Sequence, residues 1–194
     1  MAGRTRSPVP TYLWGDNGSG KTHLLRAVAD HIRNQGARVG WMDKTTVQPP
    51  EFNPEWEVLL LDDVQFFSAV QQHMAFNWFV NAATPGAARQ PWVLAAGCVP
   101  PQDLPLREDL RTRLGWGHVF HLQLLDDDQR REVLLKHAQT LGMHLGNDLL
   151  DYLLSRFSRD LGHLIDLLEQ LDNYALQTQR PLTIPLLRAM LDET

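Results

Sequence analysis

A glycine-rich segment near the N-terminus combines the residue types that bind phosphate. It matches the spacing G-x-x-x-x-G-K-[ST] in full. The matching residues are Gly15, Asp16, Asn17, Gly18, Ser19, Gly20, Lys21 and Thr22. Glycines in such a loop let backbone N–H groups converge on phosphate oxygens, while the lysine reaches the β- and γ-phosphates and the threonine hydroxyl ligates Mg²⁺. The segment therefore predicts a nucleotide site rather than a glycine turn that binds nothing.

Two adjacent aspartates supply the acidic partner that such a loop needs. Asp62 and Asp63 follow the apolar run Val58–Leu61, which is typical of the end of a buried strand. We expect Asp62 to bind Mg²⁺ through water, and Asp63 to orient or deprotonate the water that attacks the nucleotide. The alternative is a pair of strand-end aspartates that only cap the next turn.

The elements that must position these residues alternate between strands and helices. Apolar runs predict strands at 11–14, 38–42, 58–61, 92–96 and 119–122. Helical spacing follows two of them, at 22–34 and 69–83, and a turn is predicted at Pro85–Gly86. This order predicts an α/β core with a parallel five-stranded sheet and right-handed crossovers.

The pattern changes near Asp126, after which only helical spacing remains. Three helices are predicted at 127–141, at 147–157 and along the apolar positions from Leu161 to Ala175, and the first is capped by the Asp126–Asp128 run. A short fourth helix has Thr183 as its N-cap and Pro185 in its first turn. We therefore divide the chain into a loose lead-in at 1–10, a nucleotide-binding core at 11–125 and a small all-helical lid at 126–194.

Composition excludes several classes of protein. The 194 residues are 43% apolar and 21% charged, which is enough to bury a core, and the net charge of −5 argues against a nucleic-acid coat. Cys98 is the single cysteine, so there is no disulfide framework. The eight histidines form no H-E-x-x-H pair or carboxylate cluster. No run approaches the ~20 apolar residues of a membrane span and no signal peptide is evident, so we expect a cytoplasmic protein.

Several of these segments together resemble a known family. The segments Tyr12–Leu25 and Leu61–Phe66 resemble the phosphate loop and acidic strand end of the AAA+ replication initiator DnaA and its shorter relatives. The sharpest match is Leu106–Gly117, which looks like the box that carries the arginine finger in those proteins. Leu168–Asp172 and Gln179–Pro185 are closer to the DnaA regulatory inactivator (Hda) family than to DnaA. The chain is identified as a member of the Hda family.

The resemblance implies a negative regulator of replication initiation. Members of the family bind ADP or ATP with Mg²⁺, associate with the DNA-loaded sliding clamp and make ATP-bound DnaA hydrolyse its ATP. The expected partners are therefore DnaA and the clamp, and the family also allows a nucleotide-dependent homo-oligomer. Because no basic recognition helix follows the lid, we expect no direct sequence-specific DNA binding. We expect no association with a membrane.

Arg113 matches the finger residue of this family. A guanidinium inserted across a subunit interface neutralises charge that develops on the transferred phosphoryl group. The alternative is a surface arginine paired with Asp109, four residues earlier on the same helix.

Three departures from the family pattern affect these expectations. Cys98 stands where the family carries a polar residue that senses the γ-phosphate, and Gly162 stands where it carries a nucleotide-contacting lid arginine. Both changes predict weak ATP hydrolysis in the chain's own site. Only ten residues precede the first predicted strand, and none resembles the family's clamp-binding segment, so clamp binding is expected from the family alone.

Other functions stay open from the residues themselves. The intact phosphate loop and aspartates permit an autonomous AAA+ ATPase of the helicase-loader type, against which Cys98 and Gly162 count. A P-loop kinase for a small metabolite would place Arg113 in a different context. A scaffold in which nucleotide only stabilises the fold is the remaining alternative.

Overall fold

The computed structural model describes residues 9–83, 90–157 and 160–192. Most of the predicted lead-in at 1–10 and the whole Pro85–Gly86 turn lie outside these residues. The chain divides into two compact units, the first ending at Gln123 and the second beginning at Leu124. The sequence predicts that the core ends at residue 125 and the lid begins at residue 126, two residues later than the division in the structure.

The first unit is built on a five-stranded parallel sheet, as predicted. Its strand order is β2-β3-β4-β1-β5. The strands are β1 (Thr11–Trp14), β2 (Arg38–Met42), β3 (Trp56–Leu61), β4 (Trp92–Gly97) and β5 (His118–His121). The helices are α1 (Lys21–Asn34), α2 (Ala69–Ala82) and α3 (Glu108–Gly115), with short 3₁₀ turns at Val64–Phe66 and Pro101–Asp103.

Strand β3 shows why the sheet has two apolar faces. Val58, Leu59, Leu60 and Leu61 are all fully buried. Because successive side chains of a strand point to opposite faces, Leu59 and Leu61 join the apolar layer under α2, whereas Val58 and Leu60 join the layer under α1. Burial of such a side chain stabilises the fold by about 1.5–3 kcal/mol. The uninterrupted apolar run is therefore the sequence signature of a central parallel strand.

The parallel arrangement brings the chemical residues to one edge of the sheet. Strand β4 pairs with β1 on one side and with β3 on the other. The segments that follow these three strands begin with Gly15, Asp62 and Cys98, and all three leave the sheet at its carboxyl edge. Ligands bind at this edge in open α/β sheets.

The second unit consists of helices around a core dominated by leucine. Its elements are α4 (Asp127–Thr140), α5 (Asn147–Arg156), α6 (Leu161–Thr178) and α7 (Ile184–Asp192). The predicted cap at Asp126 is present. Its carboxylate accepts a hydrogen bond from the Gln129 N–H at 2.8 Å, and the Gln129 side-chain oxygen accepts one from the Asp126 N–H at 3.1 Å. None of the described helices in either unit combines the length and apolarity that crossing a bilayer requires.

Candidate nucleotide site

The loop between β1 and α1 depends on glycine. Gly18 and Gly20 adopt φ angles of 81° and 88°, in the left-handed region that other residues avoid. At Gly15 a Cβ atom would lie 2.1 Å from the Leu122 carbonyl oxygen. A side chain at Gly15 would therefore push the loop away from the segment that follows β5.

The N-terminus of α1 is left open for an anion. Gly20 caps this helix without a side-chain hydrogen bond, and no acidic residue lies in its first turn. Each of the other α-helices in the described ranges has a capping side chain or an acidic first turn. Among the described residues, no capping side chain or first-turn carboxylate therefore compensates the N–H groups and the positive end of the helix dipole of α1, which fits a phosphate group.

Lys21 is held inside the loop. Its side chain is buried, at 6% exposure, and Nζ donates hydrogen bonds to the Gly15 and Asp16 carbonyl oxygens, both at 2.7 Å. A third contact, at 3.2 Å, reaches the Ser19 hydroxyl. Burial lowers the pKa of Lys21, and the nearby Asp63 carboxylate opposes this shift. The ammonium is therefore preorganised in a place where a bound phosphate would compensate its lost hydration.

Asp62 lies at the end of β3 and is almost fully buried, at 3% exposure. Burial raises its pKa, and the neighbouring Thr22 hydroxyl acts against this shift. The Asp63 N–H donates to Asp62 Oδ1 at 3.0 Å. Carboxylate and hydroxyl oxygens are the ligands that Mg²⁺ prefers, and it commonly uses one or two carboxylates together with substrate phosphates. The donor set of Thr22 and Asp62 therefore fits the metal that the sequence predicts.

Asp63 is fixed in an uncommon conformation with both carboxylate oxygens engaged. Its φ and ψ are 53° and 41°, which is left-handed for a residue with a side chain. Oδ1 accepts a hydrogen bond from Gln65 Nε2 at 3.2 Å, and Oδ2 forms a 2.8 Å ion pair with Lys44 Nζ. Neither Lys44 nor Gln65 received a role from the sequence. The sequence contained one signal for such a role: Lys44 and Gln65 follow β2 and β3, which end at the same edge of the sheet.

Gln65 also connects the ends of β3 and β4. Its Oε1 accepts a hydrogen bond from the Cys98 N–H at 3.2 Å. One residue further on, the Val99 carbonyl accepts a hydrogen bond from the Tyr12 hydroxyl at 2.8 Å, and burial raises the pKa of that hydroxyl. Gly97 is required here, since a Cβ would lie 2.1 Å from the Tyr12 oxygen. This network fixes the backbone around Cys98, the residue at the expected γ-phosphate sensor position.

Comparison with known proteins shows which folds and families this chain resembles. Residues 127–191 match the family model of the Hda lid domain. Over 95% of this chain and 83% of the other, the structure is similar to domain III of the replication initiation protein DnaA from Thermotoga maritima, with a TM-score of 0.74 and 21% identity. The chain therefore has a fold similar to that of DnaA domain III, and its lid residues match the Hda lid-domain family.

Two further structures define the extent of the similarity. AMPPCP-bound DnaA from Aquifex aeolicus matches with a TM-score of 0.65 and 23% identity, over 88% of this chain and 57% of that one. The RuvB branch migration motor of Thermotoga maritima matches with a TM-score of 0.65 and 13% identity, over 95% of this chain and 61% of that one. This DnaA- and Hda-like chain therefore spans just over half the length of the Aquifex aeolicus DnaA.

Arg113 lies in the last turn of α3, away from the contacts of the phosphate loop. Asp109, the alternative partner of Arg113, forms an ion pair with Arg107 at 2.6 Å. Across ranges 9–83, 90–157 and 160–192, no carboxylate forms an ion pair with Arg113, and no hydrogen bond joins it to the loop or to the aspartates that follow β3. Arg113 is half-buried and Trp116 is exposed, and both lie just before β5. They are a candidate surface for contact with another molecule, separate from the phosphate loop.

Proposed function

We propose that this DnaA- and Hda-like protein binds adenine nucleotide and restrains replication initiation by supplying Arg113 to ATP-bound DnaA. The observation that carries the proposal is the Hda lid match combined with a finger-box arginine that has no carboxylate partner among the described residues. The proposed partners are DnaA and, by resemblance to the family, the DNA-loaded sliding clamp.

The chain's own residues would hold the nucleotide in a defined way. The N–H groups of residues 15–22 and the open end of α1 bind phosphate oxygens, and Lys21 exchanges a carbonyl contact for a phosphate contact. Thr22 and Asp62 hold Mg²⁺, which neutralises phosphate charge when bound. Asp63 would orient the attacking water.

Arg113 would act on the nucleotide of the partner rather than on the chain's own. A guanidinium is always charged and presents several N–H donors in a plane, so it can stabilise charge on a phosphoryl group in transfer. A carboxylate partner would oppose this role by neutralising the charge and fixing the side chain. The Arg107–Asp109 pair leaves Arg113 without such a partner on α3.

The test is single-turnover hydrolysis of ATP preloaded on DnaA in the presence of clamp-loaded DNA. We expect the protein to stimulate hydrolysis and Arg113→Ala to remove most of that stimulation, since an arginine finger is worth about 10³–10⁵ in rate. Arg111→Ala is the matched control, because Arg111 lies on the same helix and its guanidinium donates a hydrogen bond to the Gln102 carbonyl oxygen, at 3.4 Å. It should keep the stimulation.

Two outcomes would contradict the proposal. Failure of the folded, nucleotide-bound protein to stimulate DnaA would remove the inactivator function. Equal loss in the Arg111→Ala and Arg113→Ala variants would show that α3 contributes general positive charge rather than one finger. Tight nucleotide binding without stimulation of DnaA would favour the alternative of a scaffold in which nucleotide only stabilises the fold.

An autonomous ATPase is the second candidate function. It is favoured by the proximity of the phosphate loop, Asp62 and Asp63 at one edge of the sheet. Turnover of ATP by the protein alone, at a rate unchanged in Arg113→Ala, would support it over the first proposal.

A further inference from the structure

Two arginines of the second unit converge on one tyrosine. Tyr152 and Arg156 lie one turn apart on α5, and Arg188 lies on α7. Arg188 Nε donates a hydrogen bond to the Tyr152 hydroxyl oxygen at 3.3 Å, and its guanidinium lies 5.4 Å from the centre of the Tyr152 ring. Hydrogen bonds from Arg188 and then from Arg156 lower the pKa of Tyr152. These three residues, the Tyr152 cluster, therefore place two guanidiniums at one phenol oxygen.

The ring of Tyr152 fixes the place where the two arginines meet. It packs against the leucine core of the lid and against Phe157, whose ring centre lies 6.3 Å away at an interplanar angle of 67°. Tyr152 is half-buried, whereas Arg156 and Arg188 are both exposed. The cluster is therefore anchored at the ring and open to solvent at its charged groups.

Neither arginine of the cluster has a carboxylate partner within ranges 9–83, 90–157 and 160–192. Other basic side chains of the second unit do have one. Their ion pairs join Arg130 to Asp127, Arg131 to Asp151, Lys136 to Glu132 and His137 to Glu169. Asp192 lies four residues after Arg188, at a spacing that permits helical ion pairs, yet the guanidinium of Arg188 lies on Tyr152 instead.

The surrounding unit makes this positive charge unusual. Residues 124–194 contain twelve aspartates and glutamates but only seven lysines and arginines. A general excess of negative charge would weaken the attraction of this unit for anions. An anion that binds here must therefore be held by the local geometry of the cluster.

The donors of the cluster exceed its acceptors. Each guanidinium is always charged and carries five N–H donors and no acceptor. The oxygen that the two guanidiniums share belongs to a phenol, which is neutral at its ordinary pKa and does not offset their mutual repulsion. A phosphate group would offset it, because its oxygens accept parallel N–H bonds from one guanidinium and have lone pairs left for a second.

We propose that Tyr152, Arg156 and Arg188 form a binding site for a phosphate group. Inorganic phosphate, a phosphate monoester and a phosphodiester offer the same oxygens, so they share the chemistry that the cluster would recognise. All three residues belong to the second unit, whereas the phosphate loop belongs to the first. The inference goes beyond the proposed function and depends on neither the nucleotide site nor the action on DnaA.

The first experiment titrates inorganic phosphate into the 194-residue chain and follows the ring signals of Tyr152 by NMR. Sodium chloride at matched ionic strength is the reference, because salt alone screens exposed charges. The chain has only three tyrosines, at positions 12, 152 and 174, so ring labelling gives few signals to assign. We expect Arg156→Gln and Arg188→Gln each to weaken phosphate binding about tenfold or more, since each removes charge-assisted hydrogen bonds.

Arg180→Gln is the matched control. Arg180 is also an exposed arginine of the second unit without a carboxylate partner in the described ranges, but it lies between α6 and α7, outside the cluster. Affinity for phosphate should stay within about twofold in this variant, because an exposed charge outside the site is screened. Circular dichroism confirms that each variant is folded.

Three results of this titration would overturn the proposal. One is the absence of a phosphate response in the folded wild type. Another is equal weakening in the Arg156, Arg188 and Arg180 variants, which would mean that only the overall charge of the unit matters. The third is an equal response to acetate, which would mean that the cluster does not select phosphate.

A second experiment measures the pKa of Tyr152 from the same ring signals. Without phosphate we expect this pKa to lie below its ordinary value, and Arg188→Gln should raise it, because the main hydrogen bond that favours the phenolate is lost. Bound phosphate should also raise it, because a negative ligand disfavours a second negative charge nearby. A pKa of Tyr152 that moves in neither case would show that the cluster does not form in solution, and this would overturn the site.

A third comparison identifies the source of the phosphate group. A single-stranded oligothymidylate and adenosine monophosphate are titrated at equal concentrations of phosphate groups. Tighter binding of the oligonucleotide would assign a nucleic-acid backbone as the ligand, and tighter binding of the mononucleotide would assign a small phosphate ester. Either response supports the site only if Arg188→Gln removes it and Arg180→Gln does not. Because none of these experiments includes DnaA, failure here and failure of the inactivator function are separable.

Discussion

Asp62 and Asp43 lie at the ends of neighbouring strands but stand in opposite electrostatic situations. Burial dominates at Asp62 and raises its pKa. At Asp43 burial acts in the same direction, but hydrogen bonds from Thr45, Trp41 and Thr46 outweigh it and lower the pKa. Replacing each carboxylate by an amide should therefore change stability in opposite directions.

The sign at Asp62 follows from proton linkage. Between the ordinary pKa and the raised value, the folded state binds more protons than the unfolded state, so the free energy of unfolding falls as pH rises through this window. At neutral pH the ionised Asp62 is a cost to the nucleotide-free fold. We expect Asp62→Asn to raise the free energy of unfolding by about 1 kcal/mol and to weaken Mg²⁺-dependent nucleotide binding. Thermal unfolding without nucleotide and a nucleotide titration measure the two effects.

Asp43→Asn is the opposite case. The lowered pKa of Asp43 contributes stability that is present above its ordinary pKa and is lost as pH falls through the folded value. We expect this variant to lose roughly 1–3 kcal/mol at neutral pH, because hydrogen bonds to a charged group are lost. The difference between wild type and variant should shrink in acid. Equal destabilisation by both amide variants would show that shape rather than ionisation matters at these strand ends.

At this scale the sequence predicts the residues of the loop but not their neighbours. Gly15–Thr22 and the two aspartates are recognisable because their spacing is local. The Lys44–Asp63 pair joins residues 19 positions apart, and its existence depends on β2 and β3 being adjacent. No periodicity in the sequence specifies which strands are adjacent, so this contact could not be predicted without the folded structure.

At the scale of elements, the strongly patterned segments are predicted well and the short ones are not. The bounds predicted for β2 agree with the structure, and β3 begins two residues earlier than predicted, at Trp56. Strand β5 is His118–His121 rather than 119–122, because its pairing with β1 begins at His118 opposite Thr11. The 3₁₀ turns at Val64–Phe66 and Pro101–Asp103 were missed, since three residues are too few to show a helical period.

The capping box of α4 gives a prediction at the same scale. Asp126 and Gln129 satisfy each other's backbone N–H groups at the start of the lid. Asp126→Ala should lower the free energy of unfolding of the second unit by about 1 kcal/mol. Asp128→Ala is the control, because Asp128 lies in the first turn of the same helix without a capping contact and should cost only a few tenths of a kcal/mol. Hydrogen exchange of the α4 amides measures both effects. Equal effects would mean that Asp126 stabilises the helix through its charge alone and not through the capping hydrogen bond.

At the scale of the whole molecule, the two units carry different spectroscopic reporters. All six tryptophans, at positions 14, 41, 56, 78, 92 and 116, precede the division at Gln123. Each unit also encloses its own apolar core, one around the sheet and one among the lid leucines. Tryptophan fluorescence therefore reports the first unit, whereas circular dichroism at 222 nm also reports the helices of the second.

This separation makes the units individually testable. Leu150 is fully buried in the lid core, so Leu150→Ala should destabilise the second unit by about 2–5 kcal/mol. Because each unit has its own core, we expect the 222 nm transition to broaden toward lower temperature while the fluorescence transition moves less. Nucleotide with Mg²⁺ should raise the fluorescence transition through the ligands supplied by the first unit. Coincident shifts of both probes in Leu150→Ala would instead mean that the molecule unfolds as one cooperative unit, and nucleotide would then stabilise the lid as strongly as the sheet.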